Sequence, residues 1–100
     1  MAERLLRLTE KTFRAQVVGL ARALGWEVYG AWLSIHSRSG YPDLHLWHPM
    51  KRRSLWAELK TERGKLSDAQ AATIETMRMA GLDVRIWRPS DWEEIENALK

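Results

Sequence analysis

The chain has 100 residues, 45% of them hydrophobic and 29% charged, with a net charge of +3 and no cysteine. That is one domain's worth of chain with an ordinary core fraction, and it excludes both a disulfide framework and a thiolate zinc site. The absence of cysteine fits a reducing cytoplasm; no stretch is long and apolar enough to cross a membrane, and the N-terminus lacks the apolar run of a signal peptide.

Residues 1–8 read as a flexible or interface tail on a single domain spanning 1–100. From Thr9 to Leu24 the spacing of Phe13, Val17, Leu20, Ala21 and Leu24 predicts an amphipathic helix, with Thr9 as N-cap and Gly25 closing it. Glu10 lies on the Phe13–Val17 stripe, where a carboxylate is either a partner of the helix dipole or an inward-facing ligand. Trp26 to Leu33 reads as a strand, Ser34 to Gly40 as a loop, and Pro42 to Trp47 as a second strand. A turn at His48–Arg52 leads to a third strand, Ser54 to Lys60, so the second and third strands form a hairpin.

After a loop at Thr61–Leu66, Ser67-Asp68-Ala69-Gln70 has the form of a capping box and opens a helix running to about Ala80. Leu82 to Arg88 is a fourth strand. Ser90-Asp91-Trp92-Glu93 repeats the capping form and opens a last helix with Trp92, Ile95 and Leu99 on one stripe. The order is α-β-β-β-α-β-α, and the third and fourth strands, joined by a helix, should pair in parallel. The fold class is α/β, a small mixed β-sheet flanked by helices.

Charge is uneven: residues 1–66 hold twelve Lys and Arg against six Asp and Glu, and residues 67–100 hold four against seven. Lys51, Arg52, Arg53, Arg63 and Lys65 bracket the Glu58-x-Lys60 motif in sequence, with Arg38 ahead of Asp43. This is either a surface for a polyanion or a solvated basic hairpin and loop.

Within the hairpin, Asp43 begins one strand and Glu58 ends the next, fifteen positions on. Antiparallel pairing brings these ends together. Side-chain alternation puts Trp56, Glu58 and Lys60 on one face and Leu55, Ala57 and Leu59 on the other. Taken singly, Glu58-x-Lys60 fits a solvent-facing salt-bridged face and Pro42-Asp43 an ordinary turn. Together, two carboxylates that repel each other beside a lysine and a basic rim fit a cation–phosphate site. Gln70 completes the cap or reaches toward that site. His36, His45 and His48 lack the close spacing of a zinc site and read as structural or substrate-adjacent. Of six tryptophans, Trp26, Trp47, Trp56, Trp87 and Trp92 read as core, and Trp32 as exposed.

The ordered series Gly40-x-Pro42-Asp43, Glu58-Leu59-Lys60 and Gly64-Lys65-Leu66-Ser67-x-x-Gln70, behind the helix Glu10-x-x-Phe13…Val17…Ala21, resembles the PD-(D/E)xK nuclease superfamily. More narrowly it is similar to the minimal, stand-alone VRR-NUC domain. The resemblance implies a restriction-endonuclease-like core and hydrolysis of DNA to a 5′-phosphate and a 3′-hydroxyl. It implies Mg2+ or Mn2+ on Asp43, Glu58 and the Leu59 carbonyl, with Glu10 ligating directly or through water. Lys60 would position the attacking water, Gln70 would assist at the edge, and Lys51, Arg52, Arg53, Arg63, Lys65 and Arg38 would meet DNA. It further implies a homodimer acting on branched DNA, as a Holliday-junction resolvase, in a bacterial cell or phage-infected host. A nicking or restriction-like endonuclease and a catalytically silent DNA-binding subunit are the alternatives.

Overall fold

The computed structural model describes residues 2–30 and 38–100. A short helix, α1 (Ala2–Arg7), precedes α2 (Glu10–Ala23), which ends near β1 (Glu27–Gly30). Strands β2 (Leu44–His48) and β3 (Arg53–Leu59) follow, then α3 (Asp68–Met79), β4 (Val84–Trp87), a 3-10 turn at Pro89–Asp91 and α4 (Trp92–Leu99). The strands form one mixed sheet in the order β1-β2-β3-β4. The first two pairings are antiparallel, and β3 pairs with β4 in parallel, as the intervening helix requires.

Three local rules explain most of this. The Thr9 hydroxyl accepts the Thr12 N–H and starts α2. Gly25, at φ +94°, ends it, and a side chain there would run into the His48 ring. The capping box at Ser67–Gln70 forms as the sequence predicts, with both reciprocal hydrogen bonds in place.

Alternation then sorts the sheet into faces. Leu44, Leu46, Leu55, Ala57, Leu59 and Trp87 are fully buried in one cluster with Phe13, Val17 and Ala21 of α2 and Ile95 and Leu99 of α4. The opposite face is covered at its β4 side by α3 through Ile74, beside Ile86 and Leu66. Among the described residues no helix is long and apolar enough to cross a membrane.

Several expectations change. Residues read as a tail contain α1, whose Glu3–Arg7 ion pair is exposed at 3.8 Å. The capping form at Ser90–Glu93 does not operate: Pro89 starts a 3-10 turn, and the Asp91 carboxylate turns back to accept the Arg88 N–H at 2.8 Å. Trp26 and Trp87 are core and Trp56 and Trp92 half-buried, but Trp47, on the open face of the edge-side strands, is 38% exposed. Trp32, His36, the end of the first predicted strand and the loop at 34–37 lie outside the described residues.

Candidate active site

The register Leu44↔Ala57 leaves Asp43 and Glu58 at the same end of the hairpin. The Asp43 carboxylate is fixed there by the backbone: its Oδ2 accepts the Leu59 N–H at 2.9 Å. Glu58 is 1% exposed, which removes the solvent-facing salt bridge as a description of this face. Its Oε2 accepts from the Gln70 amide at 3.0 Å and pairs with Lys60 Nζ at 3.3 Å. Its Oε1 is buried and has no hydrogen-bond partner.

These contacts leave an electrostatic imbalance. Burial first, and the nearby Asp43 charge second, raise the Glu58 pKa to about 7, with Lys60 only partly offsetting them. A buried carboxylate oxygen without a donor, beside a second carboxylate, is a place for a proton or a cation. The donor set, two carboxylates and nearby carbonyls, suits a hard divalent ion of the Mg2+ or Mn2+ class. Glu10 is not gathered into it. It opens α2 in the first turn, where it complements the helix dipole, and no three His, Asp or Glu side chains among the described residues group closely enough to hold a metal.

Gln70 reconciles two readings that the sequence leaves apart. Its Oε1 accepts the Ser67 N–H at 2.9 Å to close the cap, and this orients its amide group to donate to Glu58. α3 is held in range by Gly40. At φ +83°, Gly40 packs on the first turn of α3 so tightly that a Cβ would collide with the Ala69 carbonyl and lie 2.9 Å from the Gln70 nitrogen.

Two residues at the site escape sequence reasoning. The Trp56 indole N–H donates to the Tyr41 hydroxyl at 2.8 Å, tying the segment that carries Asp43 to β3. Trp56 in turn stacks on His45, centroids 4.2 Å apart and 4° from parallel. The available signal is that Trp56 shares a strand face with Glu58. Burial lowers the His45 pKa, so this ring is a neutral packing partner. Arg88 is the second: its guanidinium donates to the carbonyls of Thr61 at 2.7 Å and Gly64 at 2.6 Å, folding the loop that leaves Lys60. Nothing in the local sequence announces that clamp.

The basic residues divide. Arg63 and Lys65 are exposed on the clamped loop, and the Arg38 carbonyl accepts the Tyr41 N–H in the turn entering the site. Lys51, Arg52 and Arg53 bracket the site only in sequence. They lie at the far end of the hairpin, about 16 Å away at five residues of strand. Arg53 is engaged there, donating to the Ala98 carbonyl at 2.9 Å beneath the Trp26 ring. His48 is structural: its Nδ1 accepts the Lys51 N–H, so its Nε2 carries the proton that reaches the Leu24 carbonyl.

A mixed sheet with an Asp, Glu-x-Lys triad at the end of its central hairpin defines a nuclease domain. The comparisons agree: residues 5–91 match the model of the VRR-NUC domain, and the chain belongs to that family. A solved structure described as a VRR_NUC domain superimposes with a TM-score of 0.65 at 27% identity, covering 85% of this chain and 91% of that one. The Fanconi-associated nuclease 1 homolog of Schizosaccharomyces pombe is 37% identical over 51 residues, 51% of this chain but only 7% of that protein.

Proposed function

We propose that this nuclease domain is a divalent-cation-dependent DNA endonuclease that cuts structured DNA, acting as a homodimer on four-way junctions. The observation that carries the chemistry is buried Glu58 beside half-buried Asp43, with Glu58 Oε1 unpartnered and Lys60 Nζ 3.3 Å from Oε2. Asp43, Glu58 and the Leu59 carbonyl would hold Mg2+ or Mn2+, which supplies Lewis-acid polarisation of the phosphate and a more acidic water.

The chain's own groups do the rest. The Leu59 N–H fixes Asp43, and Gln70 with Lys60 fixes Glu58, so both carboxylates keep their direction as charge accumulates. Lys60, with its side chain 13% exposed, would orient the water that attacks phosphorus and stabilise the phosphorane charge. Water adds to phosphorus, the bond to the 3′ oxygen breaks, and a 5′-phosphate and a 3′-hydroxyl are left. Arg38, Arg63 and Lys65 supply cations for the phosphates beside the cut. Resolving a four-way junction takes two nicks, and each domain carries one site, so a two-fold dimer supplies both. The nuclease character of the Schizosaccharomyces pombe relative supports a nucleic acid as the substrate.

The test is a panel of four-way junction, duplex, flap and single-stranded DNA with Mg2+, Mn2+ or EDTA. Cleavage persisting in EDTA or in Asp43→Ala would sink the metal mechanism. Cleavage confined to flaps or single strands would remove the junction assignment and leave the chemistry.

A further inference from the structure

Lys11, Ala15, Val18 and Arg22 recur four, three and four residues apart, which lines them up along one edge of α2. That edge faces β1, and between them runs a groove of about 480 Å³ lined by Lys11, Arg14 and Arg22, by Tyr29, and by Gly19 and Gly30. Lys11, Arg22 and Tyr29 are exposed. No carboxylate stands among the described lining residues. α2 turns back sharply into β1, and Gly30 pairs with Leu44, next to Asp43. One end of the groove therefore flanks the active site. The other points toward the turn carrying Lys51 and Arg52, which the His48–Leu24 hydrogen bond draws to the end of α2.

Gly19 is the independent observation. It stands inside α2, where glycine is a much poorer helix former than alanine. A Cβ there would meet nothing within 4 Å among the described residues. Neither packing nor backbone conformation within those residues calls for a glycine. What it provides is a low floor between two cations, where another molecule's backbone can approach closely. At about 1.5 Å per residue, Lys11 and Arg22 stand about 16 Å apart, a length over which one DNA strand presents roughly five phosphates.

We propose that the α2–β1 groove is a second nucleic-acid site, which holds the sugar–phosphate backbone of DNA extending away from the cut. Its link to cleavage rests on the nuclease reading above, whereas its binding of DNA does not. The cations contact phosphates without reading bases, and Tyr29 packs against the sugar edge.

The experiment compares Lys11→Gln/Arg22→Gln and Gly19→Leu with wild type. Binding of a labelled DNA duplex is followed by fluorescence anisotropy in EDTA across a salt series, and cleavage is followed at saturating DNA with Mg2+. In the double variant affinity should fall on the order of tenfold and the slope of log affinity against log salt should flatten by about two, with cleavage at saturation unchanged. Gly19→Leu should melt no lower than wild type, because leucine is the better helix former, and should still lose affinity. Wild-type affinity and salt slope in the double variant would overturn the proposal. So would a stable Gly19→Leu protein that binds normally, or slower saturated cleavage with unchanged affinity. A wild-type protein that binds duplex through these residues and does not cut retains this site and loses the catalytic reading.

Discussion

The two ends of the β2–β3 hairpin make the same move with opposite results. At the turn end, His48 and Arg53 are buried or half-buried polar groups whose partners are backbone: the Lys51 N–H, the Leu24 carbonyl and the Ala98 carbonyl. Each stitches the hairpin to a helix end, and among the described residues no buried polar atom of these two side chains is left without a partner. At the other end Glu58 is as buried, yet one of its oxygens has no donor and a second carboxylate stands beside it. A satisfied polar group in a core holds structure together, while an unsatisfied charged pair costs stability that only a proton or a bound cation recovers.

The comparison breaks first on alanine substitutions, where the largest effects lie. On the proposed cation mechanism, Asp43→Ala and Glu58→Ala should lower cleavage by on the order of a thousandfold or more, since several kcal/mol of transition-state stabilisation would be lost. Melting temperature should hold or rise. His48→Ala should do the reverse, losing about 1–3 kcal/mol of stability and leaving the rate per folded molecule close to wild type. Denaturant melts beside cleavage assays separate the two. If His48→Ala abolished cleavage in a folded protein, the turn end would belong to the site.

The imbalance at Glu58 predicts a pH signature of intermediate size. Its folded pKa of about 7 lies above its ordinary 4.5, so the fold favours the protonated form. That contribution is complete below 4.5 and is lost as pH rises through 7. Metal-free protein should lose on the order of 3 kcal/mol across this window. Mg2+ or Mn2+ should therefore raise the melting temperature more at about pH 8 than at about pH 5. Glu58→Gln should flatten the pH dependence while abolishing cleavage. A wild-type melting curve indifferent to pH and cation would contradict the reading of Glu58 as the cation's seat.

How far the sequence could take this follows from the range of each interaction. Asp43, Glu58 and Lys60 were legible together because strand alternation and hairpin register are local rules. The Ser67–Gln70 cap was legible for the same reason. Arg53 was not: it reads as one more cation beside Lys51 and Arg52, and its partner Ala98 lies 45 positions away. Arg88 and the Thr61–Gly64 carbonyls were invisible on the same grounds. Glu10 does not join Asp43 and Glu58 in a close cluster, because a helical stripe fixes which side a residue takes but not how far it reaches. α1 was missed because it is only six residues long.

Gln70 is where the two kinds of polar group meet, and it carries the smallest and most discriminating prediction. Its Oε1 belongs to the satisfied class and its amide to the unsatisfied site. Ser67→Ala removes the cap's acceptor and should cost about 1 kcal/mol of stability, with little effect on cleavage if Gln70 keeps its orientation through the Ser67 N–H. Gln70→Ala removes both functions and should cost a similar amount of stability. It should also lower cleavage by on the order of tenfold, because Glu58 then keeps Lys60 as its partner on Oε2. Gln70→Glu preserves the capping acceptor but replaces the amide donor to Glu58 with a third carboxylate, so it should melt lower than wild type at about pH 8, recover as pH falls, and cut less well than Gln70→Ala. Equal cleavage by the alanine and glutamate variants would mean that Gln70 acts only through the helix cap, and the boundary between the two classes would then fall between Gln70 and Glu58.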